Sequence, residues 1–270
     1  MINLNIGFLG IGNMGGSILK GFLAKGINSG NIFAYDIDTV KLQDFKNNFN
    51  ISICDNYEDL VKNSDFLILA IKPNIFFKIL EDLKIYIDLY KPVIISIAAG
   101  ITIDSIKNII NNVGIVRIMP NINAEICLST SAYCYYNICD EKLNKVINLF
   151  EKVGSTFYIP EDKFSIFTAI AGCSPAYIYL FLDSIAKGAQ KMGMNKKEAL
   201  QIAIDVTIGS ANMLKNSNKH SWELIDNVCS PGGTTIEGIC TLEENNFQQS
   251  IVKAIENTIK KDILLNNQKS

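Results

Sequence analysis

Apolar residues in the first part of the chain gather in short continuous runs: residues 4–9, 31–35, 65–71, 93–97 and 115–119. Runs of this kind, apolar throughout rather than at alternate positions, mark strands covered on both faces, as in a parallel sheet flanked by helices. Between them the period is helical: Ile18, Leu19, Phe22 and Leu23 recur at one face of a turn, and helices are predicted from near Val40 and over 57–62, 75–86 and 103–110. A strand at 130–136, a helix at 141–152 and a strand at 156–159 close this region near Pro160. Strands alternating with helices over short connections predict a doubly wound α/β domain over residues 1–160. Beyond Pro160 the period changes, with long helical patterns at 176–192, 196–214 and 247–265 and few strand signals. Residues 161–270 therefore read as a separate all-α domain. The run Tyr177, Ile178, Tyr179, Leu180, Phe181 and Leu182 has no polar break. A helix apolar on more than one face needs cover all round, which predicts a second subunit.

At 270 residues with 48% hydrophobic composition, the chain can build two cores. A net charge of −2, with 25 basic residues spread thinly, leaves no stripe for nucleic acid or an anionic membrane. The apolar runs of the first domain stop well short of the roughly 20 residues of a spanning helix. The glycine-studded N-terminus lacks the charged lead of a signal peptide. Seven cysteines, odd in number and without CxxC pairs, give neither a disulfide framework nor a metal site and read as reduced thiols in the cytoplasm.

The first strand ends in Gly10-Ile11-Gly12-Asn13-Met14-Gly15 and a helix follows. Strand, GxGxxG turn and helix are the context of the Rossmann dinucleotide fingerprint. Gly10 makes the tight turn, Gly12 lets a pyrophosphate approach the backbone, and Gly15 lets helix pack on strand. Asp36 ends the second strand about 20 residues on, where a carboxylate accepts from ribose hydroxyls and repels a 2′-phosphate; this favours NADH over NADPH. Asp36 and Asp38 are equally placed to cap the next helix. Ligands of such sheets lie beyond the strand C-termini, which directs attention to Ala70, Lys72, Pro73, Ala98, Ala99, Gly100, Met119, Pro120 and Asn121.

The other notable stretch is Cys229-Ser230-Pro231-Gly232-Gly233-Thr234-Thr235-Ile236-Glu237-Gly238. Paired glycines before a helix start expose backbone N–H groups, and with the hydroxyls of Ser230, Thr234 and Thr235 they form a cradle for a small anion such as a carboxylate. An ordinary glycine-capped helix start has the same spacing. The one histidine, His220, reads as a cap before a short helix at 222–225.

Taken together, the motifs resemble the Δ1-pyrroline-5-carboxylate reductase family. They are Gly7-Phe8-Leu9-Gly10-Ile11-Gly12-Asn13-Met14-Gly15, Ile71-Lys72-Pro73, Ile95-Ser96-Ile97-Ala98-Ala99-Gly100, Arg117-Ile118-Met119-Pro120-Asn121, Ala171-Gly172-Cys173-Ser174-Pro175-Ala176-Tyr177 and Val228-Cys229-Ser230-Pro231-Gly232-Gly233-Thr234-Thr235. The chain departs from the family at Cys173, where a serine is usual, at Ser221, where a proline is usual, and at Asp36, where a polar or basic residue suited to NADPH is more frequent. The resemblance implies hydride transfer from NADH or NADPH to the C=N bond of 1-pyrroline-5-carboxylate, giving proline. It further implies Ser230, Gly232 and Gly233 on the substrate carboxylate, with Thr234 beside them. Thr235 would take the ring nitrogen as the catalytic residue, and the corners at Ala98–Gly100 and Met119–Asn121 the nicotinamide. It also implies an intertwined homodimer, further assembled into a decamer. Two other readings compete. A β-hydroxyacid dehydrogenase of the 3-hydroxyisobutyrate type would carry a lysine and an asparagine on the first long helix of the second domain. Here residues 174–184 hold no lysine, and Lys187 and Lys191 come late without that asparagine. A non-catalytic dinucleotide sensor would have no use for the second anion cradle.

Overall fold

The computed structural model describes residues 4–267, with side chains described to residue 265. Contacts divide the chain into two units, one running to Gly172 and taking in the chain again from Lys261 on, the other Cys173–Lys260.

In the first unit the elements are β1 (Ile6–Leu9), α1 (Asn13–Ala24), β2 (Ile32–Tyr35), α2 (Thr39–Phe49), β3 (Ser52–Ile53), α3 (Tyr57–Lys62), β4 (Phe66–Leu69), α4 (Pro73–Tyr90), β5 (Val93–Ser96), α5 (Ile103–Lys107), β6 (Ile115–Met119), β7 (Ser129–Tyr136), α6 (Asp140–Phe150) and β8 (Gly154–Tyr158). The eight strands form one sheet in the order β3-β2-β1-β4-β5-β6-β7-β8. β1 to β6 run parallel, β7 is antiparallel to β6, and β8 is parallel to β7. The expected doubly wound α/β architecture is therefore present, with its order reversing between β1 and β4. β3 has no counterpart in the sequence pattern, because two half-buried residues carry no period.

The continuous apolar strands feed two cores, one on each face. Ile6, Phe8, Phe66 and Ile68 join Phe22 of α1 and Phe150 of α6 on one side. Leu9, Leu67 and Leu69 join Phe76, Leu80 and Leu83 of α4 on the other. Phe22 stacks at 6.0 Å on Phe8 and meets Phe150 edge-on at 5.5 Å. Each such buried side chain contributes about 1.5–3 kcal/mol.

The sequence sets the domain break at Pro160, yet the first unit continues to Gly172. The reason lies in three residues just past the proline. The Glu161 carboxylate accepts from Arg117 at 2.7 Å and from the Ile103 N–H at 2.8 Å. Arg117 lies over the Phe164 ring at 4.4 Å, and Phe164 and Phe167 complete the second core.

The second unit is helical, with α8 (Ser174–Lys191), α9 (Lys196–Lys215), α10 (Ser221–Val228), α11 (Thr234–Glu244) and the greater part of α12 (Phe247–Asn267); a short helix, α7 (Phe164–Phe167), and a π-helical turn over Thr168–Cys173 precede α8. The run Glu161–Lys191 is helical throughout and, by length and composition alone, long and apolar enough to cross a membrane. Ile178, Tyr179, Leu180 and Phe181 on α8 and Val206 and Met213 on α9 stand exposed. The hydrogen bond between Tyr177 and Thr258 at 2.6 Å and the ring contact of Phe181 with Phe247 at 6.1 Å tie α8 to α12.

Candidate functional site

Strand register sets the C-terminal edge of the sheet in one row: Leu9 faces Leu69, Leu69 faces Ser96, and Ser96 faces Arg117. At the β1 end of that row the glycine turn is built as its spacing suggests. Gly10 has φ +92°, and a Cβ there would lie 2.7 Å from the Ala70 carbonyl oxygen. A Cβ on Gly15 would overlap the Gly10 carbonyl oxygen. Gly12, the residue before α1, has open space where its Cβ would stand, and no side chain caps the helix. Asn13 and Met14 open α1.

Two cavities flank this turn. One, of about 550 Å³, is walled by Gly10, Gly12, Asp36, Ala70, Lys72 and Lys41, with Tyr57 and Ile79 on its apolar side. The other, of about 480 Å³, lies along α1 between Gly12, Asn13, Met14, Lys20, Lys41 and Phe45. Asp36 does not cap α2. Its Oδ2 accepts from the Ile11 N–H at 2.7 Å and its Oδ1 from the Asp38 N–H at 3.0 Å, so it holds the glycine turn, while Asp38 caps α2 by accepting from the Lys41 N–H at 3.0 Å. Lys41, Tyr57 and Asn74 are wall residues that the sequence did not single out. Their signal was position alone, in the opening turns of helices that follow β2, β3 and β4.

Pro73, Ala98, Ala99, Gly100, Met119, Pro120 and Asn121 stand off the walls of both cavities. They lie just beyond β4, β5 and β6 on the same sheet edge. Pro73 is the first residue of α4. Ala98 is buried, and Gly100 turns the chain with φ +79°. Asn121 is 5% exposed and spent on the protein: its Nδ2 donates to the Ala171 carbonyl at 2.9 Å and its Oδ1 accepts from the Thr130 N–H at 3.2 Å. Thr168 Oγ1 lies 3.2 Å from Met119 Sδ. The corner after β6 is thus wired to the π-helical turn. Asn121→Ala should cost about 1–3 kcal/mol through orphaned buried groups; a urea midpoint equal to the parent's would contradict this.

In the helical unit, Gly232 has φ +66°, the Gly233 N–H donates to the Ser230 carbonyl at 2.9 Å, and Gly233 then opens α11 with no side-chain cap. Ser230, Thr234 and Thr235 are exposed around this turn, and no side chain caps the first-turn N–H groups of α11. Thr235 and Cys229 also edge an apolar groove of about 770 Å³ formed with Val206, Met213, Leu224 and Ile239. His220 caps α10, its Nδ1 accepting from the Trp222 N–H at 3.3 Å and its own N–H donating to Glu223 at 2.9 Å. Lys187, the candidate base of the dehydrogenase reading, pairs with Asp183 at 2.7 Å.

No nucleophile offers itself among the buried thiols. Burial, reinforced by Asp59 and Asp55, pushes Cys54 up to about 11. Burial and then Glu161, partly offset by Arg117, pushes Cys134 up to about 12. At pH 8, iodoacetamide should label exposed Cys139 and Cys240 first and reach Cys54 and Cys134 only on unfolding; equal native rates would contradict the burial. Among the described residues no group of three or more His, Cys, Asp or Glu side chains could hold a metal.

Comparison with known proteins places both units. Residues 161–264 match the family model described as pyrroline-5-carboxylate reductase dimerisation, and residues 5–100 match one described as NADP oxidoreductase coenzyme F420-dependent. The chain is similar to pyrroline-5-carboxylate reductase of Aquifex aeolicus, 35% identical over 266 residues that cover 97% of each chain. Two solved structures are similar over nearly their full length. Pyrroline carboxylate reductase of Plasmodium falciparum with NADP bound is 29% identical, with a TM-score of 0.87, covering 98% of this chain and 99% of that one. 1-Pyrroline-5-carboxylate reductase of Streptococcus pyogenes is 35% identical, with a TM-score of 0.84, covering 96% and 98%.

Proposed function

The chain belongs to the pyrroline-5-carboxylate reductase family, and on that premise we propose that it reduces the C=N bond of 1-pyrroline-5-carboxylate with NADH or NADPH to give L-proline. The observation that carries the reading is the presence, in one chain, of a Rossmann glycine turn and an uncapped, glycine-led helix start at Ser230 to Thr235.

The glycine turn fits a dinucleotide: open space at Gly12, close packing at Gly10 and Gly15, and a cavity on each side. Gly12, Asn13 and Met14 present the helix N-terminus to the pyrophosphate. Asp36, Ala70 and Lys72 border the adenosine end, Asp36 tilting the choice toward NADH, and Pro73 fixes the start of α4 beside them. Ala98, Ala99, Gly100, Met119, Pro120 and Asn121 shape the nicotinamide end, Asn121 by holding the corner. Reduced nicotinamide, when bound, would supply the hydride for a new C–H bond at the δ-carbon, the C=N π pair passing to nitrogen. Ser230 and the N–H groups of Gly232 and Gly233 hold the carboxylate, and Thr234 supports the turn. The Thr235 hydroxyl accepts from the iminium N–H and fixes the ring. Because the iminium already carries its proton, the protein's task is position and electrostatics rather than proton transfer, whereas an alcohol oxidation would need a base.

A second copy covers the exposed apolar helices of the second unit, giving a homodimer that assembles further into a decamer. The cysteines, odd in number and without CxxC spacing, are those of a protein of a reducing compartment, the cytoplasm. Thr235→Ala should lower kcat/KM by about a hundredfold or less, the scale of one lost positioning hydrogen bond. Reduced cofactor deuterated at the transferred position should deliver its label, as deuteride, to the δ-carbon of proline. Product without that label would contradict direct hydride transfer, and an unchanged kcat/KM would remove Thr235 from the site.

A further inference from the structure

We propose that Lys41 reads the 2′-phosphate of NADPH and so lets the chain use that cofactor in spite of Asp36; this rests on the dinucleotide reading of the glycine turn. An aspartate at the end of β2 faces the ribose and, taken alone, repels a 2′-phosphate. Here its carboxylate is not a free charge. One oxygen accepts the Ile11 N–H at 2.7 Å and the other the Asp38 N–H at 3.0 Å, and these two donors offset part of its repulsion. Each oxygen keeps a lone pair for a ribose hydroxyl, so NADH remains acceptable.

Lys41 supplies the missing countercharge. It stands in the first turn of α2, its own N–H fixed to Asp38 at 3.0 Å, and its side chain forms part of the wall of both cavities, which share Gly12. Among the described residues its ammonium makes no ion pair. The other lysines are placed differently. Lys20 rests over the Phe45 ring at 5.3 Å and borders only the cavity along α1. Lys72 borders only the other, at the start of α4. Lys41 is the one lysine shared by the two, beside Asp36, the position that in this fold meets the ribose 2′-hydroxyl. A flexible ammonium suits a phosphate as a point charge.

The fragments 2′,5′-ADP and 5′-AMP differ at the 2′-phosphate and need no turnover. Binding of each is measured by calorimetry to the parent, Lys41→Ala, Lys41→Arg and Lys72→Ala. Lys41→Ala is expected to weaken 2′,5′-ADP by about tenfold to a hundredfold, the scale of a charged hydrogen bond, and 5′-AMP far less. Lys41→Arg should restore the difference, and Lys72→Ala should affect both fragments alike. Equal loss of both fragments in Lys41→Ala, or the selective loss in Lys72→Ala instead, would overturn the assignment. If the parent bound neither fragment, the dinucleotide reading itself would fall, and this inference with it.

Discussion

Gly15→Ala is expected to lower kcat/KM for either nicotinamide cofactor by more than about a hundredfold while leaving the chain folded. The added Cβ would overlap the Gly10 carbonyl oxygen and come 2.8 Å from the Ala70 Cβ. Neither neighbour can swing aside, since one is backbone and the other is fixed by the Ala70 N–H donating to the Leu9 carbonyl at 2.9 Å. α1 must therefore shift off β1, carrying Gly12, Asn13 and Met14 with it. A displacement near 1 Å at a positioning element costs about a hundredfold. Steady-state kinetics with both cofactors and a far-ultraviolet spectrum check this; a folded variant with parental kcat/KM would show that the turn does not hold the dinucleotide.

Gly154→Ala carries the largest expected loss of stability, about 3–5 kcal/mol, a large share of the roughly 5–15 kcal/mol that holds a domain together. Gly154 has φ +152°, a conformation that disfavours a side chain. It opens β8 opposite Ser129 of β7, and a Cβ would overlap the Ser129 carbonyl oxygen and stand 2.6 Å from the carbonyl carbon. Ser129 is itself buried and bonded to Ser131 at 3.0 Å, so relief requires parting the two strands. Urea unfolding checks the loss, and a midpoint equal to the parent's would contradict it.

The central strands were legible because β1, β4, β5 and β6 are apolar on both faces, and that pattern survives without knowledge of the partners. The glycine turn was legible for a related reason: Gly10 and Gly15 each answer a local steric demand. What escaped was tertiary. Asp36 reads as placed to cap the next helix until its oxygen is seen on the N–H of Ile11, which lies 25 residues away. Lys41 is one lysine among many on a solvated helix face, and only the meeting of two cavities distinguishes it. Pro160 marks a break in composition, but the Arg117–Glu161 pair and the burial of Phe164 extend the first unit past it, and no sequence period announces an ion pair. The π-helical turn before α8 has no apolar spacing of its own; it is stabilised from outside by Asn121. The glycine turn and helix start at Ser230 to Thr235 were readable, whereas the apolar groove at their edge depends on how α9, α10 and α11 converge.

The most direct test follows the oxidation of NADH and NADPH by the purified protein with 1-pyrroline-5-carboxylate and, separately, with 3-hydroxyisobutyrate and the oxidised cofactors. Oxidation of reduced cofactor only when the cyclic imine is present, with L-proline formed in equal amount, is the expected result. Turnover of 3-hydroxyisobutyrate with none of the imine would contradict it.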